Sequence, residues 1–299
     1  MSGAVDTEVT AAIPPDLSAL GETPAAIEAR FAGLARRVET PCGDGVLVWR
    51  IWGEGPPLVL LHGGYGSWNH WIRNVLPLSR RRQVLAPDLP GMGESATPPD
   101  PEDADAMAAI VVEGLRRLLP KGAAVDLAGF SFGGVLGGRV ALQLGPALRR
   151  FVMVGPNGLG LPLAPLAPMG SWRRLEDRAA RMAVHRRTLE VMMFADPGRI
   201  DPLALHLQEF NAESGRVRSP EISKTDILRR SLPGLRGRLA AIWGGEDNVA
   251  RGAIASRREV IHAADPGAPF HVIPGAGHWV SYEAAEAFNA TLSDLLEPD

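Results

Sequence analysis

Short apolar runs and amphipathic stretches alternate along most of the chain. The runs typical of buried or half-buried strands cover residues 45–53, 57–61, 83–89, 125–128 and 151–154. Apolar side chains recur at helical spacing in between, most clearly over residues 102–119. Because strands alternate with helices, the pattern predicts an α/β fold in which helices cover both faces of a mostly parallel sheet.

The alternation stops between residues 156 and 233, which contain no strand-like run. A Gly/Pro/Leu-rich loop opens this stretch, helical segments follow, and strands return at residues 239–243 and 270–273. Parallel sheets bind ligands outside the carboxyl ends of their strands. We therefore predict that residues 156–233 form a helical cap over that edge, while residues 41–155 and 234–299 form the core.

Residues 1–40 are predicted to form a leader followed by one helix. Residues 1–22 are small and polar and contain proline, which indicates a loose segment. Thr23 and Pro24 form a typical helix start, and the helix is expected to run to about Ala35. The apolar side chains at helical spacing in this helix are Ile27, Phe31 and Leu34.

Composition narrows the class of protein. With 299 residues, of which 45% are apolar and 22% charged, the chain matches an ordinary globular protein. A net charge of -3 gives no electrostatic case for nucleic acid or a membrane surface, and no apolar run is long enough to cross a bilayer. The single cysteine, Cys42, excludes an internal disulfide and fits a reducing compartment. The first residues lack the basic and apolar regions of a signal peptide, so we expect a cytoplasmic protein.

A serine lies between two glycines after the fourth apolar run, in the sequence Gly129-Phe130-Ser131-Phe132-Gly133. The spacing G-x-S-x-G is typical of a nucleophile elbow, which is a sharp turn between a strand and a helix. Side chains two residues before and after the serine would collide in such a turn, and glycine removes them. The helix that follows offers main-chain N–H groups to a developing anion. Ser131 is therefore the candidate nucleophile.

A serine hydroxyl needs a base beside it, and a histidine on a late loop is the natural candidate. Of the seven histidines, His278 fits best, because it follows the run 270–273 within a glycine-containing loop. His271 lies on that strand and is interpreted as a packing residue, and His62 is interpreted as shaping an early loop. The remaining four are expected to be solvated or hydrogen-bonded: His70, His185, His206 and His262.

The histidine in turn needs a carboxylate that fixes its tautomer and stabilises the imidazolium. Glu246 and Asp247 follow the run 239–243, at the place in chain order where such an acid is expected. The spacing alone leaves both residues as candidates.

An acyl-transfer site also needs N–H donors that bind the oxyanion. One donor is expected from Phe132, the residue after the nucleophile. The second is expected from the glycine-rich loop after the run 57–61, with Gly64 as the first choice and Tyr65 as the next. Glycine in that loop lets the main chain approach a substrate without a side chain in between.

Five motifs in this order resemble the α/β-hydrolase superfamily: LHGGYGSWNHW, APDLPGMGES, GFSFGG, IWGGEDNVA and GAGHWV. They extend from about Val46 to Phe288. The resemblance implies an α/β-hydrolase fold, with a mostly parallel sheet, flanking helices and a helical cap inserted after the sixth core strand. It also implies that the acid of the W-G-x-x-D loop is the aspartate, which gives a triad of Ser131, His278 and Asp247.

The resemblance implies a serine hydrolase that acts on a small-molecule substrate. We expect it to need no cofactor or metal ion, and its charge and hydropathy predict that it binds neither nucleic acid nor a membrane. The stretch GHWVSYEAAEAFN resembles hydrolases that cleave carbon–carbon bonds in ring-fission products. Two departures from those enzymes make a carboxylesterase the first hypothesis: Phe130 precedes the serine, and the cap stretch LHLQEFNAES has no arginine. Ligand binding without turnover on the same fold is the third hypothesis.

The candidate cap adds two features. Residues 172–187 carry six arginines against Glu176 and Asp177, which indicates either attraction for an anionic substrate or a solvated basic helix face. Met192 and Met193 are expected to line the substrate pocket, together with Tyr65, Phe130 and Trp279. An apolar pocket of this kind predicts a small to medium, largely apolar ester.

Overall fold

The computed structural model describes residues 17–297, and eight strands in this part of the chain form one sheet. The strands are β1 (Arg36–Cys42), β2 (Gly45–Trp52), β3 (Pro57–Leu61), β4 (Gln83–Pro87), β5 (Val125–Phe130), β6 (Leu148–Val154), β7 (Arg238–Gly244) and β8 (Phe270–Ile273). Their order in the sheet is β1-β2-β4-β3-β5-β6-β7-β8. The pairs β1–β2 and β2–β4 are antiparallel, and every other neighbouring pair is parallel. The predicted mostly parallel sheet is therefore confirmed.

Helices surround this sheet. Those within residues 17–297 are α1 (Pro24–Gly33), α2 (Val75–Ser79), α3 (Ala104–Leu118), α4 (Phe132–Leu144), α5 (Arg178–Thr188), α6 (Pro202–Ser214), α7 (Ser219–Ser223), α8 (Ile227–Ser231), α9 (Ile254–Ala264), α10 (Val280–Glu283) and α11 (Ala285–Leu296). A π-helical turn, Leu189–Met193, extends α5. Every helix in this range is too short or too polar to cross a lipid bilayer.

The parallel strands are buried on both faces, as their continuous apolar runs predict. In β3, Leu58 and Leu60 pack in the layer that contains α1, α2 and α11. Val59 and Leu61 pack in the opposite layer, with α3 and α4. Neighbouring side chains of a strand point to opposite faces, so a run without polar residues is what a doubly covered sheet requires.

Four loops that follow parallel strands meet at one edge of the sheet. They begin after β3, β5, β7 and β8, and carboxyl ends of parallel strands lie at the same edge. Between β6 and β7 the chain forms a loop and then helices α5–α8, with no strand between residues 155 and 237. This insertion, after the sixth strand, agrees with the predicted fold class.

The N-terminal region differs from the prediction. Residues 36–40, assigned to the leader and its helix, belong to β1 and pair with β2. The strand gave little signal because its sequence, RRVETPC, is mostly polar and half exposed, which suits the edge of a sheet. Leu17 packs in the core rather than in a loose segment, and residues 1–16 lie outside the described residues.

Helix α1 begins at Pro24 after Thr23, as predicted. Ile27 and Phe31 are buried, with 1% and 0% exposure. Leu34 is 41% exposed, because the helix ends one residue before it and the chain turns toward β1. Only the first two of the three apolar positions therefore hold the helix on the sheet.

We expect Ile27→Ala to lower the free energy of unfolding by about 2–5 kcal/mol, because it removes buried methyl groups and leaves a cavity. Leu34→Ala is the matched control from the same segment and should change stability by less than about 0.5 kcal/mol. Urea unfolding followed by circular dichroism measures both variants. Equal losses would contradict the burial pattern described above.

Candidate active site

Three side chains from three loops meet at the carboxyl edge of the sheet. Ser131 Oγ lies 3.0 Å from His278 Nε2, and His278 Nδ1 lies 2.9 Å from Asp247 Oδ2. The loops follow β5, β8 and β7, so the sheet brings together positions as far as 147 residues apart. His278 and Asp247 are buried, and a buried hydrogen bond is stronger than one in water. These are the three residues that the sequence analysis selected.

The turn at Ser131 is strained in the way that the motif predicts. The serine has φ of 49°, a left-handed conformation that is rare outside glycine. A Cβ at Gly129 would lie 2.4 Å from the Gly133 carbonyl oxygen, and a Cβ at Gly133 would lie 2.3 Å from the Leu61 carbonyl oxygen. Both positions therefore require glycine, and the close approach lets α4 begin directly behind the serine.

Burial and hydrogen bonding distinguish the two candidate acids. Asp247 is 1% exposed, whereas Glu246 is exposed to solvent. Asp247 Oδ1 accepts hydrogen bonds from the N–H groups of Val249 at 2.8 Å and Ala250 at 3.3 Å, which leaves Oδ2 for His278. The main chain thus holds the carboxylate in one orientation, in which it can fix the tautomer of the histidine.

Gly64 and Phe132, the two residues predicted to donate N–H groups, line the same cavity as Ser131. Phe132 begins α4, so its N–H has no partner within the helix. A Cβ at Gly64 would lie 3.6 Å from Phe132 Cβ, which makes the two residues neighbours. Neither N–H donates to another residue of the described chain, whereas the Gly63 N–H donates to His70 Nδ1 at 3.2 Å. Tyr65, the next residue of this loop, has a positive φ of 50°.

Two neutral histidines brace the glycine-rich loop. His62 Nε2 accepts a hydrogen bond from the Leu89 N–H at 2.8 Å, which ties the loop to the segment after β4. Burial lowers the pKa of His62 to about 4. Burial holds the pKa of His70 well below its usual value, and repulsion between a protonated His70 and the neighbouring imidazoles of His62 and His278 lowers it further. Both rings are therefore uncharged at neutral pH, as hydrogen-bond acceptors require.

The other histidines lie outside this site. His206 is hydrogen-bonded to Glu28 at 2.9 Å, and His262 lies 3.0 Å from the Ala268 carbonyl oxygen. His271 is exposed on the edge strand β8, so its interpretation as a packing residue was wrong. The expectation that His185 is solvated or hydrogen-bonded was wrong: it is fully buried, and neither ring nitrogen has a polar partner among the described residues.

A cavity of about 500 Å³ lies beside Ser131, between the core and the inserted helical segment. Its lining includes four of the five predicted pocket residues: Tyr65, Phe130, Met192 and Met193. Trp279 does not line it; the side chain is 1% exposed behind the wall, and its indole N–H donates to the His70 carbonyl oxygen at 2.9 Å. His70 takes the place beside the cavity that the sequence analysis gave to Trp279.

A carboxylate that the sequence analysis did not select joins the histidine loop to the inserted segment. Glu283 is 7% exposed and accepts three main-chain hydrogen bonds. The donors are Gly277 at 2.6 Å, Asp196 at 2.9 Å and Ala195 at 3.0 Å. Because Gly277 directly precedes His278, this contact positions the loop that carries His278. Its only sequence signal is a glutamate five residues after the histidine, at the end of α10.

Comparison with known proteins agrees with this geometry. A model of the alpha/beta hydrolase family matches residues 58–291. The chain belongs to the alpha/beta hydrolase family. The family and the fold class that the five motifs implied are therefore confirmed, and the protein is assigned to a family of hydrolases.

Relatives of this hydrolase have several activities. It is 32% identical to the dihydrolipoyllysine-residue acetyltransferase component of the acetoin cleaving system of Pseudomonas putida, over 85% of this chain and 67% of that protein. It is 28% identical to the 2-hydroxy-6-oxo-6-phenylhexa-2,4-dienoate hydrolase of Burkholderia cepacia, over 82% of this chain and 88% of that protein. A thermophilic esterase from Thermogutta terrifontis shares the fold, with a TM-score of 0.68, 22% identity and coverage of 88% of this chain and 98% of that chain.

Glu283→Gln should loosen the histidine loop. Glutamine keeps one carbonyl oxygen but replaces the other oxygen with an NH₂ group, which would face main-chain donors. An unpaired buried donor costs about 1–3 kcal/mol, so the variant should be less stable, and the amides of Ala195, Asp196 and Gly277 should exchange hydrogen faster. Glu286→Gln, at an exposed glutamate of α11, is the matched control. Unchanged exchange at these amides in Glu283→Gln would contradict the positioning role.

Acid should destabilise the protein through His62. Its pKa is about 4 in the folded protein and 6.5 in an unfolded chain, so only the unfolded chain takes up a proton between these values. The stability from this group is complete above the unfolded pKa and falls by about 3 kcal/mol as the pH drops to the folded pKa. His62→Gln should reduce the proton uptake on unfolding by about one in this range, measured by urea unfolding as a function of pH. An uptake equal to that of the wild type would exclude a neutral, buried His62.

Proposed function

We propose that this protein is a serine hydrolase that cleaves small to medium, largely apolar esters through an acyl-enzyme. The proposal is carried by the contacts of His278, which lies 3.0 Å from Ser131 Oγ through Nε2 and 2.9 Å from Asp247 Oδ2 through Nδ1. At these distances the histidine can take the serine proton while the carboxylate stabilises the imidazolium. The neighbouring cavity gives a substrate carbonyl access to the hydroxyl.

In the proposed reaction, Ser131 Oγ attacks the ester carbonyl carbon while His278 Nε2 removes the serine proton. The carbonyl oxygen becomes an oxyanion, for which the N–H groups of Gly64 and Phe132 are the proposed donors. His278 then gives the proton to the departing alkoxide, the ester C–O bond breaks, and acyl-Ser131 remains. Water that His278 deprotonates attacks the acyl carbon, the carboxylic acid leaves, and the proton returns to the serine.

The lining of the catalytic cavity supports an apolar substrate. Aliphatic and thioether side chains form much of it: Leu163, Leu166, Met169, Met192, Met193 and Val249. A volume of about 500 Å³ falls within the range of small-molecule sites, and methionine adapts its shape to the ligand. We propose that residues 156–233 act as a cap, because their side chains enclose the cavity beside Ser131.

Cleavage of a carbon–carbon bond in a ring-fission product is the second candidate. It is favoured by the 28% identity to the dienoate hydrolase of Burkholderia cepacia, which extends over most of both chains. The substrate would be a vinylogous diketone, and the same three residues would serve it. A carbon–carbon bond would then break in place of the C–O bond of an ester.

A fluorophosphonate probe should label the wild-type protein at Ser131, because a serine activated by histidine attacks the phosphorus atom. Ser131→Ala should abolish labelling and lower ester turnover by at least about 1,000-fold. Ser293→Ala, at a serine of α11 outside the site, is the control and should keep both. In-gel fluorescence and p-nitrophenyl ester hydrolysis provide the two readouts. Equal labelling of wild type and Ser131→Ala would refute the proposal.

A substrate panel separates the two candidate reactions. Initial rates are compared for p-nitrophenyl esters of increasing acyl length and for 2-hydroxy-6-oxo-6-phenylhexa-2,4-dienoate, each on wild type and Ser131→Ala. Turnover of the esters alone supports the esterase. Faster serine-dependent turnover of the dienoate would replace the esterase by the carbon–carbon bond hydrolase, because specificity is the ratio of the kcat/KM values.

A further inference from the structure

A second cavity, called the side cavity here, has a volume of about 240 Å³ and adjoins the catalytic cavity. The two cavities share the lining residues Asn157, Leu163, Ser223 and Lys224. Arg257 of α9 also lines the side cavity. The proposed triad and oxyanion donors do not use this space.

Arg257 is a deeply buried charge without an acidic partner. Its side chain is 2% exposed. Its guanidinium donates hydrogen bonds to the carbonyl oxygens of Ala253 at 3.0 Å and Pro162 at 3.4 Å. Within residues 17–297 it forms no ion pair with a carboxylate. A guanidinium has five N–H donors, so these two carbonyl groups leave donors for a further partner.

The two other buried arginines of the described chain are both paired. Arg50 forms an ion pair with Asp88, and Arg82 forms one with Asp126 at 2.7 Å. They are 7% and 8% exposed, so Arg257 is the most buried of the three. Removing an ion from water costs several kcal/mol, and an ion pair with good geometry offsets that cost. Burial of Arg257 therefore has this desolvation cost, and no ion pair within residues 17–297 offsets it.

Asp247 is the carboxylate that interacts electrostatically with Arg257, but both of its oxygens already form hydrogen bonds with other groups. They are occupied by His278 and by the N–H groups of Val249 and Ala250. Burial lowers the pKa of Arg257, and the charge of Asp247 opposes that shift without cancelling it. The charge of Arg257 therefore remains incompletely balanced by the chain.

The linings of both cavities carry positive charge only. Arg257 and Lys224 line the side cavity, Lys224 and Arg173 line the catalytic cavity, and no described aspartate or glutamate lines either one. Lys224 is exposed and forms no ion pair within residues 17–297. A guanidinium matches a carboxylate with two parallel hydrogen bonds, and an exposed ammonium attracts the anion toward it.

We propose that the side cavity binds a carboxylate, with Arg257 as its ion-pair partner and Lys224 as the charge that attracts it. This inference rests on the proposed ester hydrolysis and narrows its substrates to esters whose acyl chain ends in a carboxylate. In this proposal, the acyl chain of an ester held at Ser131 enters the side cavity beside Asn157 and Ser223, which line both cavities. A free carboxylate has the same chemistry, so the experiment distinguishes the two sources.

The first test compares charged and neutral substrates of equal length. Mono-p-nitrophenyl esters of dicarboxylic acids with about four to eight carbons are each paired with a neutral counterpart. In the counterpart the p-nitrophenyl ester is kept and the free carboxylate is replaced by a methyl ester. At the length that fits, the ratio of kcat/KM for the acid over the methyl ester should exceed one in the wild type. Arg257→Met should lower that ratio by about 10-fold or more, because it keeps the aliphatic stem and removes the ion-pair partner.

Two further variants sharpen this test. Arg258→Met is the matched control, because Arg258 is the next residue of α9, is exposed and stacks on Phe270, and it should keep the wild-type ratio. Lys224→Met should lower the ratio about threefold, and less at high salt, because an exposed charge is screened.

The outcomes distinguish failure of this inference from failure of the proposed function. A ratio near one at every length, or a ratio that Arg257→Met leaves unchanged, would overturn the assignment to the substrate. An equal loss on acid and methyl ester in Arg257→Met would make Arg257 a structural partner of Asp247 and overturn it too. Absence of serine-dependent hydrolysis of both the acids and the methyl esters would refute ester hydrolysis itself. The second test would still report on the side cavity.

The second test needs no turnover and uses glutarate as the probe. Isothermal titration calorimetry on Ser131→Ala should show glutarate binding that a second change, Arg257→Met, abolishes and Arg258→Met leaves intact. Binding without a substrate preference would assign the side cavity to a free carboxylate, and a preference without binding would assign it to the substrate's own carboxylate. If glutarate does not bind and the acid is not preferred over the methyl ester, the proposal is overturned.

Discussion

The site depends on the parallel alignment of β3, β5, β7 and β8. Parallel strands end at one edge of a sheet, so this alignment delivers four loops from distant parts of the chain to one place. His278 is the point of convergence, because its two ring nitrogens contact Ser131 and Asp247 at 3.0 and 2.9 Å. A shift of one residue in the register of β8 would turn alternate side chains to the other face and would separate the histidine from both partners.

Backbone strain is concentrated where the sheet meets the proposed oxyanion site. Ser131 and Tyr65 are the non-glycine residues of the described chain with left-handed φ, at 49° and 50°. Such strain persists only where the surroundings fix the conformation. At Ser131 the fixed contacts are the close packing of Gly129 and Gly133, and at Tyr65 they include the hydrogen bond between Gly63 and a buried, neutral histidine. Folding energy thus fixes the main chain around Gly64 and Phe132, the proposed oxyanion donors.

The fold could be predicted wherever burial leaves a local pattern. A strand covered on both faces, such as residues 57–61, must be continuously apolar, and the glycine spacing around Ser131 directly encodes the strained turn. The polar edge strand over residues 36–42 has no such pattern, because half of it faces water. Glu283 and Arg257 could not be selected, since their importance lies in their environment: main-chain donors from two segments in one case, and the lack of an acidic partner in the other.

Hydrogen bonds join the inserted segment to the loops that carry His278 and Asp247. The Trp279 N–H donates to the Met193 carbonyl oxygen at 2.8 Å, and Asn248 Nδ2 donates to the Phe194 carbonyl oxygen at 3.1 Å. Trp279 directly follows His278, Asn248 directly follows Asp247, and Met193 lines the cavity beside Ser131. A displacement of Met193 therefore acts on the loops that carry His278 and Asp247. Because hydrogen bonds of about 3 Å weaken steeply with misalignment, packing against this wall of the cavity is coupled to the contacts of His278 with Ser131 and Asp247.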